Sequence, residues 1–526
     1  MDMDLLLRNA EVYDGTGGPP QQRDVAVSGG RISAVEAHLP DAAEVVDLDG
    51  LALAPGFIDI HTHSDVSLLH DPSGESKVRQ GVTTEVVGNC GYSAFPVNLQ
   101  RRSELTEHLA RLGDEPMPIG WTGFSSYAEK LREAGPAMNV AMLTGHSALR
   151  IAAMADPYRP ATAADTAAMA RLLDEALEAG AFGLSTGLTH TPSSFGDATE
   201  ITALVRVCAR HDGLYATHAR VAAAREIDAI DEAIATTRAA GGRLQFSHLA
   251  LNDPAWWGRA DQALARFDRA EIDAAFDVYP YDASSSAMLQ YLPEWTQEGG
   301  GTVLRRHHRD PAWRARALDG IREGFFGGIP WHWDRIVVVA AGPRTDLPGQ
   351  SVAAIASAWG CPPEDVLLDL CAELGSVVQV VMYYRTEADM TAFLAHPRAV
   401  VGSDGNAQPL RGQHDRPHPR AFGTFPRVLG RDVREQPVLG LAEAVHKMTA
   451  APADRLGLRD RGRLRPGYAA DLVAFDPATV ADRATFDRPR QAPVGILHTI
   501  VNGRFVVRDG VMTGERPGEV LRHVRR

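Results

Sequence analysis

His61 and His63 stand two residues apart in the run Pro55-Gly56-Phe57-Ile58-Asp59-Ile60-His61-Thr62-His63-Ser64-Asp65. On a strand, such residues face the same side, and neutral imidazole is a common zinc ligand. An H-x-H pair alone is as often incidental as functional, but the apolar strand directly before it favours a metal site. Cys90, His218 and His248 each close a further apolar run, and Asp404 follows Val400-Val401-Gly402-Ser403. Taken singly, each has an ordinary reading: a buried thiol packs as a small hydrophobe, and a strand-end histidine bonds loop backbone. Five separate predicted strands that each end in His, Cys or Asp are hard to obtain by chance. Together they offer four imidazoles, a thiolate and a carboxylate, enough for one or two metal ions.

The elements that must position these groups can be read from the rhythm of the chain. Short apolar runs recur at residues 57–60, 86–87, 142–143, 183–186, 215–217, 244–247, 276–279 and 400–403, each ending in polar or Gly residues. Amphipathic stretches lie between several of them, such as 163–179 with Met169, Leu172, Leu173, Ala176 and Leu177 on one face. Alternation of strands and helices implies a parallel sheet. Eight such units fit an α/β fold of the (β/α)8 TIM-like barrel type, whose active site lies at the C-terminal ends of the strands. We expect the barrel over residues 55–463 and a lid-like insertion over 282–334. Short β segments with turn residues fill both ends, including the hairpin signal Asn502-Gly503. Residues 1–54 and 464–526 are therefore expected to build one small β-sandwich.

Bulk properties narrow the class. A net charge of −14 argues against a nucleic-acid or anionic-membrane partner. No run approaches the roughly 18 apolar residues of a membrane span, and the apolar run Leu5-Leu6-Leu7 is too short for a signal peptide. Four scattered cysteines make no disulfide framework, so a reducing, cytoplasmic location is the expectation. Cys208, Cys361 and Cys371 fall in helical patterns and read as core. The sequence carries no signal for an oligomeric state.

With these stretches in view, the chain resembles the N-acyl-D-amino-acid deacylase (D-aminoacylase) family of the amidohydrolase superfamily. The segments that carry the resemblance are 54–65, Gly81-Val82-Thr83-Thr84, Gly88-Asn89-Cys90-Gly91, Ser185-Thr186-Gly187-Leu188, Asp277-Val278-Tyr279-Pro280-Tyr281, Gly402-Ser403-Asp404-Gly405 and His418–Pro426. Many superfamily members bridge two metals with a carboxylated lysine. This chain has only Lys77, Lys130 and Lys447, all in helix-like stretches. The deacylase family uses a cysteine instead, which maps onto Cys90. The resemblance implies that Cys90, His218 and His248 hold a tight Zn2+, and that His61, His63 and Asp404 frame a second, weaker position. It implies hydrolysis of a linear C–N amide bond in an N-acylated amino acid or related small-molecule amide. Asp404 would act as general base and then general acid, with pure metal ligation or loop capping as its alternative. Hydantoinase-type cyclic amidases and dipeptidases rank lower because they usually need the lysine bridge; a non-hydrolytic metal-binding barrel is the remaining alternative.

The resemblance weakens around the substrate. Family members commonly carry Tyr in a Tyr-Pro-Pro run where this chain has Leu188-Thr189-His190-Thr191-Pro192, and Lys where it has Ala250. Both residues help to anchor an α-carboxylate, so we expect a substrate whose end group differs from a simple N-acyl-D-amino acid. His190, Tyr281, Arg220 and His146 are the candidate substrate-binding residues. Arg220 has surface pairing as its plain reading, and His146 either polarises the carbonyl or packs. His418, Arg420 and Arg427 order or brace the loop after the eighth strand. Trp256, Trp257, Trp331 and Trp333 either line the lid pocket or build the fold.

Overall fold

The computed structural model describes residues 3–412 and 414–525. Its centre is a parallel barrel. Successive wall strands are Phe57–Asp59, Val82–Val87, Asn139–Met142 continued by Thr144–Gly145, Gly183–Gly187, Leu214–His218, Arg243–Phe246, Ala274–Val278 and Ala399–Val401, each hydrogen-bonded to the next. The eighth strand returns to the first through the parallel bridge Thr62–Gly405 and the bond from Asp404 N to His61 O at 2.8 Å. The result is a nearly closed eight-stranded barrel. These strands are short apolar runs buried on both faces, as parallel strands covered by helices must be. Ile58, Val86, Ala141, Leu214, Ala216 and Val400, drawn from five of them, join one apolar cluster, so the barrel is a packed core rather than a pore.

Helices alternate with the strands where amphipathic stretches predict them. Ala163–Glu178 is a clear case: it buries Met169, Leu173, Ala176 and Leu177. Its start is fixed by Thr162 and Asp165, which cap each other's backbone N–H groups. Both ends of the chain meet in one nine-stranded sheet, in which Ala52–Pro55 pairs with Leu472–Phe475. The turn at Asn502-Gly503 joins Ile496–Val501 to Arg504–Arg508, and its φ values of 47° and 80° are the pair of positive angles that an Asn-Gly hairpin turn uses.

The excursion between the seventh and eighth barrel strands is longer than 282–334. Ser284–Ala287, Val378–Met382 and Ile336–Ala341 form a separate antiparallel sheet in that order. Four helices pack with it: Gly300–His307, Pro311–Arg322, Val352–Trp359 and Pro363–Leu374. This body has its own apolar cluster, which includes Leu304, Ile321, Val338, Leu368 and Val380. The runs at 336 and 378 are as apolar as barrel strands, and only their antiparallel pairing to each other separates them from the wall. No helix of the described residues is long and apolar enough to cross a membrane.

Candidate metal centre and active site

All six expected metal-site residues converge at the C-terminal mouth of the barrel. His61, His63, Cys90 and Asp404 form one group, and Cys90, His218 and His248 a second. Within each group the donor atoms all lie within 4.8 Å of one another, and Cys90 belongs to both. Its Sγ is 3.2 Å from His61 Nε2 and 3.4 Å from His248 Nε2, while His218 Nδ1 lies 2.9 Å from His248 Nε2. His63 Nε2 and His61 Nε2 approach Asp404 Oδ1 at 3.0 and 3.4 Å.

The chain bends sharply to bring them there. Cys90, His248 and Asp404 have φ of 52°, 37° and 53°, in the left-handed region that costs a non-glycine residue about 1–2 kcal/mol. Hydrogen bonds hold two of these bends: Asp404 N donates to His61 O, and His248 N donates to Asp277 Oδ1 at 2.7 Å. Three bends of this kind at one cluster place side chains rather than stabilise the fold, the pattern expected of a functional site.

The donor set fits zinc. Tetrahedral coordination with bonds of about 2.0–2.3 Å separates neighbouring ligand atoms by roughly 3.3–3.6 Å, close to the spacings here. Burial pushes the Cys90 thiol up to about 11, so a cation is needed to hold the thiolate in place. Burial also keeps His218 and His248 well below the ordinary imidazole value, hence neutral and able to donate a lone pair. His63 Nδ1 is buried without a protein partner.

Other residues set up the donors. Asp277 Oδ1 accepts from His61 Nδ1 at 2.9 Å as well as from His248 N, while its Oδ2 accepts from Gln245 Nε2 at 3.0 Å. A carboxylate behind a ligating imidazole fixes its tautomer and raises its basicity. Arg420 donates to Asp404 Oδ2 at 2.7 Å and to the Tyr279 hydroxyl at 2.9 Å. Burial opposes a charge on Asp404, but the Arg420 guanidinium outweighs it and holds the carboxyl well below its usual range. Lys77 is fully buried beneath the centre, and its Nζ is committed to Asp59, Ser403 Oγ and Gly405 O.

The donors open into a cavity of about 190 Å³. That is room for on the order of a dozen waters, or one small molecule. His190 lines it, beside His218 at 4.3 Å between ring centroids. The other three expected substrate-binding residues do not, each for a local reason. Tyr281 would continue the inward face of Asp277 and Tyr279, but its strand ends at Val278. A tight turn (Tyr281 N to Tyr279 O, 2.9 Å) sends its ring out under Arg427. Arg220 lies just beyond the strand ending at His218 and braces the backbone of Ser194 and Gly196. His146 opens a helix rather than ending a strand, and it is locked between Ser193 Oγ and Glu200 at 2.7 Å each. None of the four tryptophans lines the cavity; Phe246, Tyr291, Phe325, Phe326 and Tyr384 supply its aromatic wall.

Sequence reasoning did not single out Arg385. This side chain lines the cavity, is 9% exposed, lies 4.8 Å over the Tyr279 ring, and has a buried Nη1 without a hydrogen-bond partner. Among the described residues no carboxylate lies within ion-pair distance of it. It follows a strand of the insertion, so no barrel pattern pointed to it.

Comparison with known proteins agrees with this geometry. The amidohydrolase family model matches residues 44–507. An N-acyl-D-aspartate deacylase from Alcaligenes xylosoxydans xylosoxydans is 40% identical over 98% of this chain and 95% of its own length. The crystal structure of N-acyl-D-glutamate deacylase from Bordetella bronchiseptica, complexed with zinc and a phosphonate mimic of the tetrahedral intermediate, superposes with a TM-score of 0.84. It is 36% identical, over 99% of this chain and all of the other. A D-aminoacylase structure described by its binuclear metal centre gives the same TM-score, identity and coverage. The chain belongs to the amidohydrolase family, as a zinc-dependent hydrolase of the D-aminoacylase type.

Proposed function

We propose that the enzyme removes the acyl group from N-acylated amino acids and holds the amino acid's carboxylate on Arg385. The observation that carries this reading is the buried guanidinium without a counter-charge in the cavity that holds the metal donors. An uncompensated buried cation is costly, and a substrate carboxylate is the partner it lacks. Arg385 thus supplies the positive charge that Ala250 and His190, in place of Lys and Tyr, do not. It removes the reason for expecting a different end group.

Cys90, His218 and His248 would hold the tighter zinc, and His61, His63 and Asp404 would frame a second position. Zinc bound there supplies Lewis-acid polarisation of an amide carbonyl and acidifies water. Asp404, kept ionised by Arg420, takes the proton released as water attacks the amide carbon. It then delivers that proton to the leaving nitrogen, so that a carboxylate and a free amine result. His190, kept neutral by burial, faces the same space with its Nδ1 free to bond substrate.

The relatives' names specify D-configured amino acids, so N-acetyl-D-amino acids are the first substrates to try. An Arg–carboxylate hydrogen-bonded pair contributes about 1.5–3 kcal/mol, or roughly 10–100-fold in kcat/KM. Zinc-loaded enzyme should therefore prefer N-acetyl-D-leucine over its C-terminal amide by that factor, and Arg385→Met should abolish the preference. Equal turnover of acid and amide by the wild type would contradict the assignment.

A further inference from the structure

A one-turn helix, Glu75–Val78, lies between the first and second barrel strands and carries Lys77. Lys77, Asp59 and Ser403 are all fully buried. Lys77 Nζ donates to Asp59 Oδ2 at 2.8 Å, to Ser403 Oγ at 2.7 Å and to Gly405 O at 2.9 Å. Three acceptors use three N–H donors, so the side chain is an ammonium. A nitrogen in that state has no lone pair to take up a carboxyl group, and Lys77 belongs to neither group of metal donors. Its work is therefore not metal bridging.

The two acceptors other than Asp59 flank Asp404 in the chain. The ion pair reaches this turn from both of its partners: Asp59 Oδ1 accepts from Ser403 N at 2.8 Å, while Lys77 holds the Ser403 hydroxyl and the Gly405 carbonyl. Gly405 N closes the turn by donating to Ser403 Oγ at 3.1 Å. Asp404, between them, has a φ of 53°, a conformation that a side-chain-bearing residue keeps only where its surroundings impose it. The buried pair imposes it by fixing the residues on either side.

The same short segment also holds the arginine that faces Asp404. Gln80 Nε2 donates to Ala421 O at 2.9 Å, and Gln80 Oε1 accepts from Phe425 N at 3.3 Å. Both bonds fall on the helix Arg420–Arg427, whose first residue donates to Asp404 Oδ2. Between the two anchor points, Ser76 and Gln408 exchange a further pair of bonds at 3.0 and 3.1 Å. Residues 75–80 thus tie down the carboxylate's turn and the helix of its guanidinium partner as one unit.

We propose that Lys77 is a positioning residue for the reaction: paired with Asp59, it fixes the 403–405 turn so that Asp404 stands where it exchanges protons with water and the leaving nitrogen. This rests on the reading that Asp404 is the general base and acid. Lys77 touches no substrate atom and acts only through the turn. A misplacement of about 1 Å at a reacting group can cost on the order of 100-fold in rate, which sets the size of the effect.

The test uses zinc-loaded full-length enzyme and the N-acetyl-D-amino acid that the wild type hydrolyses fastest. Lys77→Met alone leaves Asp59 without its cation, with Glu85 also 3.6 Å from the vacated Nζ position, and is expected to unfold. Two other variants avoid that. Ser403→Ala removes one acceptor and keeps the ion pair. The double variant Asp59→Asn with Lys77→Met removes anion and cation together and keeps Oδ1 for Ser403 N. Ser403→Ala should lower kcat about tenfold and the double variant about 100-fold, with KM within twofold of the wild type. Affinity for the first zinc equivalent, read by chelator competition, should stay within threefold. Wild-type kcat in both variants overturns the proposal, whatever their urea midpoints, and leaves Lys77 a stabiliser of the fold. Loss of the first zinc in step with kcat also overturns it, because the whole metal site would then have moved. Asp404→Asn tests the underlying reading separately: an active Asp404→Asn sinks that reading, whereas an inactive one beside a fully active double variant sinks the positioning role alone.

Discussion

Asp277 touches no expected substrate atom, yet it is the carboxylate on which the centre's geometry most depends. Its Oδ1 accepts from His61 Nδ1 and His248 N, and its Oδ2 from Gln245 Nε2. Two substitutions separate charge from shape. In Asp277→Asn the side-chain oxygen can keep both bonds to the histidines, while the new amide nitrogen faces Gln245. Gln245 Oε1 is buried without a partner, so a flip of the Gln245 amide satisfies that nitrogen. The Asn variant should therefore fold with its geometry kept and its charge gone. Loss of a carboxylate behind a metal-ligating histidine typically costs 10–100-fold in metal affinity, about 1.4–2.7 kcal/mol. Asp277→Ala instead strands three buried donors, each at about 1–3 kcal/mol, and should lower global stability as well. Zinc Kd from competition with a chromophoric chelator reads the first effect, and urea midpoints of the metal-free proteins read the second. The reasoning fails if the Asn variant unfolds as readily as the Ala variant, or if both bind zinc like the wild type.

Further outcomes follow from the same contacts. A Cβ at Gly187 would lie 2.1 Å from the carbonyl oxygen of Cys90 and 2.6 Å from the His190 ring. Gly187→Ala must displace Cys90, at about 1–3 kcal/mol. It should lower kcat/KM by tenfold or more with unchanged circular dichroism, whereas Gly120→Ala, which meets nothing within 4 Å, should match the wild type; equal activity in both variants would refute the close-approach argument. Burial raises the Glu226 carboxyl from 4.5 to about 7. Because the folded-state value is the higher one, the contribution is fully present below pH 4.5 and is lost as pH rises through 7, by roughly 3 kcal/mol at most. Urea midpoints of Glu226→Gln should thus gain on the wild type between pH 4.5 and 7, and parallel curves would show that Glu226 is ionised throughout.

The metal site was legible in the sequence because a barrel turns strand ends into a single place. His61, His63, Cys90, His218, His248 and Asp404 each follow a short apolar run, and the fold needs no further information to gather them. The two-residue period that brings Asp277 and Tyr279 inward gives no sign of where a strand stops. It therefore carried the inward assignment on to Tyr281, past the turn that reverses it, while Arg220 and His146 lie beyond their own strand ends. Arg385 could not be read in this way. It arrives from the insertion, where nothing in the local pattern relates the residue to the barrel. The insertion's limits were hidden for a related reason: Ile336–Ala341 and Val378–Met382 are apolar enough for the wall, and pairing partners are a tertiary fact.

The central claim is that hydrolysis depends on zinc held through Cys90, the donor common to both groups. Protein stripped with a chelator and titrated with zinc, while hydrolysis of an N-acetyl-D-amino acid is followed, tests it directly. The wild type should be inactive when stripped and should regain activity in step with zinc bound, whereas Cys90→Ala should require far more zinc or fail to recover. Hydrolysis by the stripped wild type, or a Cys90→Ala titration that overlays the wild type, would contradict the account.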